Sequence, residues 1–354
     1  MPPVKFPGAS GSGFPSNDSD IQQPEQTPGE PPFERRLLET LGHEHREILG
    51  QFFRADFLRQ VFDDCEHTLE QDRDAALRRL RQTGVAPAQA QVLLDKMTAV
   101  LQDARLTINM PLERLLEFMA PGSGGEYLNC FARSGQIQKR PDYVPQRAKL
   151  EEQALGMHET LARSAYRDFG QYRSANGGDG GNPSFQWTSR PLYCAVDFLK
   201  SPRGGAQAYG KSYLVLAEHM KHVSTFSSVD SFARDLSPSR SRMVKPERIC
   251  TWHHFPRLIV HAQNNEVGYN CLTTLKDAAA GIVGKVPARY GKGKKHGYIE
   301  AQIHGRLKLD RDVKEIHICR SELEQLQPES RRDALLKAME KRNRQLGRRF
   351  FIVD

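Results

Sequence analysis

Apolar residues between positions 33 and 120 recur at three- and four-residue steps, with charged residues between them. This spacing is typical of amphipathic helices that share a hydrophobic core. It predicts a bundle of three or four helices over residues 33–120. The pattern is carried by Leu37, Leu38, Leu41, Ile48, Leu49, Phe52, Phe53, Phe57, Leu58, Val61 and Phe62, then by Leu93, Leu94, Met97, Val100 and Leu101, and last by Leu112, Leu115, Leu116 and Met119.

After the glycine-rich stretch at 121–125 the pattern changes to short extended segments. These segments are rich in β-branched and aromatic residues, and Gly, Pro or Ser bounds them, as expected of β-strands. They lie at 127–131, 193–199, 213–216, 257–262, 298–303 and 313–318. Helices are predicted at 144–169 and 331–346, and a last strand at 350–353. The sequence therefore predicts an α+β protein, with a helical N-terminal region followed by a mixed α/β domain over 121–354.

Residues 1–32 contain eight of the 21 prolines and few aliphatic residues, which predicts a disordered leader. The leader lacks the basic start and apolar segment of a Sec signal peptide, so that export route is not expected. Its Ser/Pro-rich composition suits the uncleaved signals of bacterial effectors injected into host cells, and equally an ordinary disordered terminus. No stretch approaches the roughly 18 apolar residues of a membrane-spanning helix, so no membrane partner is expected.

The cysteines and histidines do not form a recognisable metal site. The six cysteines are scattered without a Cys-x-x-Cys pair, which argues against a zinc ribbon or a disulfide scaffold. The pairs His253-His254 and His43-x-His45 lack further ligands at suitable spacing, so no metal is expected. The glycines at 177–181 do not match a P-loop, and no His/Asn arrangement makes Cys194 a nucleophile.

The formal charge of +8 is concentrated near the C-terminus. Residues 285–354 hold 18 Lys plus Arg and 10 Asp plus Glu, so this segment accounts for the whole excess. A basic segment can bind nucleic acid, a phosphorylated ligand or an acidic protein, and the Lys-rich stretch 285–297 can also be simply solvated. Asp333 and Glu340 interrupt the basic helix, which has no aromatic platform for bases. Nucleic-acid binding therefore stays as an alternative that the sequence does not favour.

The segment at 298–305 has a polar residue at every second position. Because side chains on a strand alternate between its two sides, Tyr298, Glu300, Gln302 and His304 are expected on one side and three apolar residues on the other. The polar side can form the wall of a cleft or face water on a half-exposed sheet. For His304 alone, a buried, hydrogen-bonded structural role is favoured.

Two further segments suggest a specific chemistry. Arg190 precedes a predicted strand, where a guanidinium can bind a phosphate through two hydrogen bonds, and residues 224–228 place several hydroxyls in one short turn. An Arg, a later Ser/Thr cluster and a Glu on a late strand follow the order seen in ADP-ribosyltransferases of the Arg/Ser/Glu class.

Over about 185–235 and 296–320 the chain resembles a bacterial and fungal family that contains the CteC-type effectors, which ADP-ribosylate a threonine of ubiquitin. The likeness is carried by Arg190-Pro-Leu-Tyr193, Gly204-Gly205, Tyr209-Gly210, Thr225-Phe226, Asp230-Ser231, the 298–305 segment and Asp312-Val313. The chain departs from the family pattern at Cys194, where a Gly is usual, and in the Ser-Asn-Gly loop that commonly precedes the Arg.

The resemblance implies a split-sheet ADP-ribosyltransferase domain that uses NAD as substrate. It implies further that Glu300 is the catalytic carboxylate, that Arg190, Tyr193, Ser224, Thr225 and Ser227 bind the cofactor or brace the site, and that Tyr298, Gln302 and His304 position the acceptor. Arginine-modifying toxins have a second Glu where this chain has Tyr298, which argues against an arginine acceptor. The implied activity is transfer of ADP-ribose to a threonine of ubiquitin in the host cytosol, which blocks ubiquitination; a different acceptor, including nucleic acid, remains an alternative.

Overall fold

The computed structural model describes residues 55–120, 125–127, 191–228, 248–262, 271–282, 298–346 and 349–354. The predicted leader, the predicted helix at 144–169 and the Lys-rich segment at 285–297 lie outside these residues, as does Arg190. The described helices are α1 (Ala55–Gln82), α2 (Pro87–Gln102), α3 (Leu112–Met119), α4 (Phe255–His261), α5 (Cys271–Ala279), α6 (Leu309–Asp312), α7 (Arg320–Glu324) and α8 (Glu329–Leu346). Single 3-10 turns lie at Gln207–Tyr209 and Glu218–Lys221.

The described strands form one large sheet and one small pair. They are β1 (Arg105–Met110), β2 (Glu126–Tyr127), β3 (Leu192–Asp197), β4 (Ser212–Leu216), β5 (Ser224–Ser227), β6 (Cys250–Thr251), β7 (Glu300–Ile303), β8 (Leu307–Lys308), β9 (Val313–Cys319) and β10 (Arg349–Val353). The large sheet has the order β10-β9-β4-β1-β3-β7-β5-β6, and β2 pairs with β8. Only the β10–β9 pairing is parallel among those of the described strands. The chain is therefore α+β, as the sequence predicts.

The strand β1 corrects the expectation of an all-helical region up to residue 120. It lies between β4 and β3, and it is antiparallel to both. In its sequence, Leu106, Ile108 and Met110 alternate with Thr107 and Asn109, a period of two that is hidden between two helical segments. Because β1 joins the β10-β9-β4 strands to the β3-β7-β5-β6 strands, the described sheet is continuous where the family resemblance implies a split sheet.

Two shorter predictions were also wrong in type. The sequence predicts a strand at 257–262, but Phe255–His261 form helix α4, in which Pro256 occupies the first turn. Proline is favoured in the first turn because the N–H group that it lacks would have no partner within the helix. This preference outweighs the strand preference of the β-branched Ile259 and Val260. The sequence predicts a turn at 224–228, but Ser224–Ser227 form β5 and pair with β7. The strands around 193–199, 213–216, 298–303, 313–318 and 350–353, and the helix at 331–346, are confirmed.

The helices α1 and α2 share one hydrophobic core with the sheet. Cys65 and Leu80 of α1 and Leu94 and Met97 of α2 belong to the same buried cluster as the apolar residues of β1, β3 and β7. Since burial of apolar surface is the main favourable term in folding, the two helices stabilise the sheet directly. No helix in the described ranges is both long and apolar enough to cross a membrane.

A buried arginine fixes α4 to α1. Arg257 is 3% exposed, and its Nε lies 2.8 Å from Asp72 Oδ2 while its Nη1 lies 2.6 Å from Asp64 Oδ2.

We predict that Arg257→Ala lowers the free energy of unfolding by about 3 kcal/mol. This is at the low end for a broken buried ion pair because the Asp64 side chain is 56% exposed. Urea unfolding measures the loss. Arg73→Ala, which removes an exposed pair between Arg73 of α1 and Asp95 of α2, is the control and should change the value by less than about 1 kcal/mol. Equal effects of the two variants would contradict the prediction.

The same contact between α1 and α4 includes a buried histidine. His254 Nδ1 lies 2.6 Å from Thr251 Oγ1 and its Nε2 lies 2.9 Å from Glu66 Oε1. Burial lowers the pKa of His254, although Glu66 acts in the opposite direction. Below the unfolded pKa of about 6.5, the unfolded chain therefore binds a proton that the folded chain excludes, and stability falls as the pH falls.

The wild type should lose stability as the pH falls from 7 to the lowered pKa of the folded His254. We expect this loss to be smaller in His254→Gln. Urea unfolding of both proteins across this pH range measures the difference. An unchanged pH dependence in the variant would show that His254 contributes nothing to it.

Candidate active site

The strand β7 carries the candidate catalytic carboxylate between two strands that also carry predicted site residues. On one side Glu300 pairs with Ala195 of β3, and on the other with Ser227 of β5. Directly paired residues of neighbouring strands point to the same side of a sheet. The register therefore brings β5 hydroxyls next to Glu300. The next such row is formed by Gln302, Tyr193 and Thr225.

The predicted alternation along β7 is confirmed. Ile299, Ala301 and Ile303 are fully buried in the main hydrophobic core. On the opposite side, which is the polar side of the sheet, Tyr298 and Gln302 each donate a hydrogen bond to Glu300. The strand thus separates an apolar core from a group of polar side chains, as its sequence predicts.

These polar side chains form a continuous hydrogen-bond network. The Gln302 amide Nε2 donates to Glu300 Oε1 at 2.8 Å and to Ser227 Oγ at 3.1 Å. The Tyr298 hydroxyl donates to the other carboxylate oxygen, Oε2, at 3.3 Å. Both oxygens of Glu300 therefore accept a hydrogen bond, one from Gln302 of β7 and one from Tyr298, which lies two residues before Glu300.

The chemistry of the groups fixes the direction of the network. A carboxylate only accepts, so the Gln302 amide nitrogen must face Glu300 and its carbonyl oxygen must face Thr225. The Thr225 hydroxyl donates its single proton to that oxygen at 2.9 Å, and it lies 2.8 Å from His304 Nε2. His304 therefore carries a proton on Nε2 and donates it to Thr225. Each donor along this chain points towards Glu300, which stabilises the negative charge there.

The network lies inside the protein. Glu300 is 1% exposed, Gln302 0% and His304 2%. The alternative that the polar side of this strand faces water is therefore wrong. The predicted structural environment of His304, buried and hydrogen-bonded, is observed. Buried polar groups without partners are costly, so these hydrogen bonds also contribute to the specificity of the fold.

Not all predicted site residues join the network. Ser224 pairs with the core residue Ile303 and lies on the apolar side, where its hydroxyl donates to the Met220 carbonyl oxygen at 2.6 Å. The prediction that groups Ser224 with Thr225 and Ser227 is wrong, because consecutive residues of a strand alternate in direction whereas those of a turn need not. Tyr193 is half-buried beside Gln302 on the polar side. Arg190 lies outside the described residues.

Cys194 points into the apolar core next to this group. It pairs with Ala301 and is 4% exposed. Burial, and to a smaller extent the charge of Glu300, raises the pKa of its thiol well above the usual value. The thiolate is the reactive form of cysteine, so this environment does not favour a nucleophile. Within the described ranges, no three His, Cys, Asp or Glu residues are arranged to bind a metal ion.

Sequence reasoning missed two polar residues of β1 on the same side of the sheet. Thr107 pairs with Ala195, which in turn pairs with Glu300, and Asn109 lies two residues further along β1. Both are buried and bond the backbone of the 201–210 segment, which connects β3 to β4. The signal was present in the alternation of Thr107 and Asn109 with apolar residues.

Comparison with known proteins gives a family match over part of the chain but no activity. Residues 160–325 match a family described as "Protein of unknown function (DUF3626)". A search of curated proteins found no match. The matched region contains β3, β5 and β7, whereas β1, which lies in the middle of the same sheet, precedes it. The chain is thus similar to this family over the part that carries Glu300 and its network.

Proposed function

We propose that this protein is an NAD-dependent mono-ADP-ribosyltransferase in which Glu300 is the catalytic carboxylate. The observation that carries the proposal is the order β3-β7-β5, which gathers the segment that follows Arg190, the Glu300 strand and the Thr225/Ser227 strand side by side. These three segments are distant in sequence, and the resemblance to the Arg/Ser/Glu class rests on them. Their adjacency allows one site to contain residues from all three segments.

The residues on the polar side of the sheet suit the ribose end of NAD. Glu300 offers a carboxylate, Thr225 and Ser227 offer hydroxyls, and Tyr193 is partly accessible beside them. Carboxylates and hydroxyls are the groups that bond sugar hydroxyls. The phosphates of NAD require a cation, and Arg190, which the resemblance assigns to them, immediately precedes Pro191 at the start of the described β3 segment.

When bound, NAD supplies the glycosidic bond between nicotinamide and ribose that is to be cleaved. Positive charge develops on the ribose as such a bond breaks, so a fixed carboxylate nearby stabilises the transition state more than the ground state. The bonds from Tyr298 and Gln302 hold Glu300 in one orientation, and burial excludes water, which strengthens its electrostatic effect. Because Glu300 is 1% exposed, NAD can reach it only after the residues that cover the polar side of the sheet move aside.

For the acceptor we propose a threonine of ubiquitin in a host cell, as the resemblance implies. An acceptor hydroxyl must lose its proton during transfer. His304 Nε2 donates to Thr225, so His304 orients the network and does not take that proton through Thr225. The neutral Tyr298 stands where arginine-modifying toxins have a second carboxylate, which agrees with a hydroxyl acceptor. In this account Gln302 and Tyr298 orient Glu300 through the hydrogen bonds that they donate to it.

The first test of the proposal is whether the purified chain releases nicotinamide from NAD. We expect the rate of nicotinamide release to saturate as the NAD concentration rises. We also expect added ubiquitin to change this rate. Nucleic-acid binding is the competing function, and it predicts instead an affinity for generic DNA or RNA that falls linearly in log salt. Two basic residues of α8 form ion pairs, Arg332 with Glu329 and Arg344 with Glu340, which weakens that alternative. Steep salt-dependent binding without nicotinamide release would overturn our proposal.

A further inference from the structure

The 201–210 segment is fixed to the polar side of the sheet by one asparagine of β1. Asn109 Oδ1 accepts from the Ala206 amide at 2.9 Å, and Asn109 Nδ2 donates to the carbonyl oxygens of Arg203 at 2.8 Å and Gly210 at 3.1 Å. A single side chain therefore satisfies three backbone groups of this segment. Thr107, two residues earlier, accepts from the Gly205 amide at 3.0 Å.

The segment lies so close to β1 that glycine is required at the contact. A Cβ atom at Gly204 would lie 2.6 Å from Asn109 Oδ1, and the backbone there has a φ of +71°, which favours glycine independently. A Cβ at Gly210 would lie 2.0 Å from the carbonyl carbon of Met110. The segment thus rests directly on the β1 backbone, and its position follows from that strand.

The other side of the segment contacts the residue that bonds Glu300. Ala206 packs with Ala195 and Tyr298 in a small buried cluster, and the ring of Tyr209 meets that of Tyr298 edge-on at 6.0 Å between centroids. The hydroxyl of Tyr298 donates to Glu300 Oε2. A continuous set of contacts therefore leads from Asn109 through Ala206 and Tyr298 to the carboxylate.

We propose that Asn109 is a positioning residue for Glu300: it holds the 201–210 segment against Tyr298, and Tyr298 in turn orients the carboxylate. Insofar as it concerns turnover, the inference rests on the proposed function. It assigns a role in the site to β1, which precedes the region matched by the family of unknown function. Misplacement of a catalytic group by about 1 Å can lower the rate about 100-fold, even when the mutated residue is far from the reacting atoms.

The test compares Asn109→Asp and Asn109→Ala with the wild type by hydrogen exchange and by turnover. Asn109→Asp keeps the size and the oxygen that faces the Ala206 amide, but it replaces the donor to two carbonyl oxygens with a negative oxygen. We expect faster exchange both in peptides from 201–210 and in peptides from 298–303. We further expect kcat for nicotinamide release to fall about 10- to 100-fold, with the KM for NAD changed by less than about threefold.

Two further variants separate positioning from general destabilisation. Leu94→Ala removes core volume in α2, which packs mainly against α1, α4 and α5. Well below its unfolding temperature, this variant should leave exchange at 298–303 and kcat unchanged. Thr107→Val deletes only the bond to the Gly205 amide while keeping the side-chain shape. It should cause a smaller change in the same two sets of peptides, and it serves if the Asn109 variants do not fold.

Faster exchange at 201–210 without a change at 298–303 would overturn the inference, as would a loss of kcat that Leu94→Ala reproduces. If the wild type releases no nicotinamide, the proposed function fails. Exchange at 298–303 then decides by itself whether Asn109 positions the Glu300 strand.

Discussion

Replacing Glu300 by glutamine is expected to lower kcat for nicotinamide release at least about 10²-fold, the scale of removing one group that stabilises transition-state charge. The substitution keeps the size of the side chain and an oxygen that can accept from the Gln302 amide, but it removes the negative charge. Since the hydrogen-bonding partners stay in place, the free energy of unfolding should change by less than about 2 kcal/mol. Rapid-quench or continuous nicotinamide assays, together with urea unfolding, measure both effects.

The matched control for this variant is Glu315→Gln. Glu315 lies on the same side of the sheet, in β9, and it bonds His317 Nε2 at 2.9 Å. It is separated from β7 by β4, β1 and β3. Its replacement removes the same charge from the same sheet and should leave kcat unchanged within about twofold. Equal turnover by the wild type and Glu300→Gln would remove Glu300 from the mechanism.

Replacing Gln302 by leucine is expected to cause the largest loss of stability at the site, about 3 kcal/mol or more. Gln302 is fully buried and bonds three groups: Glu300 Oε1, Ser227 Oγ and the Thr225 hydroxyl. A leucine has a similar volume but leaves all three without that partner, and each buried group left unsatisfied costs about 1–3 kcal/mol. The urea midpoint should fall without a change in the slope m.

The control is Ser228→Ala, which removes one hydrogen bond, to the carbonyl oxygen of His261, at the end of the same region. It should cost about 1 kcal/mol. Turnover of any folded Gln302→Leu protein should also fall, because Glu300 loses its closest donor. A loss of stability no larger than that of Ser228→Ala would show that the network contributes little to the fold.

Local patterns predicted the elements of this protein better than their arrangement. The two-residue period at 298–303 correctly placed Glu300 and Gln302 on one side of a strand, because alternation is a property of the strand alone. The face of Ser224 depended instead on whether 224–228 is a turn or a strand. That choice is settled by pairing with β7, some 75 residues away, which local sequence does not encode.

The role of β1 shows a second limit of sequence reasoning. Six residues between two clear helices were assigned to the helical pattern, although Thr107 and Asn109 alternate with apolar neighbours. Their function in the fold, to bind the 201–210 segment, requires residues nearly 100 positions away. The burial of Glu300 was likewise hidden, since a polar strand side is more often wet than enclosed.

The central claim is the transfer of ADP-ribose from NAD, and two labels on NAD test it most directly. The chain is incubated with ubiquitin and with NAD labelled either in the adenylate or in the nicotinamide half, with Glu300→Gln in parallel. Our account predicts that ubiquitin acquires the adenylate label only, that mass spectrometry locates it on a threonine, and that the variant transfers none above background. Adenylate label on another acceptor would support the proposed transferase activity but change its target. The absence of label on any macromolecule, or equal labelling by Glu300→Gln, would contradict the account.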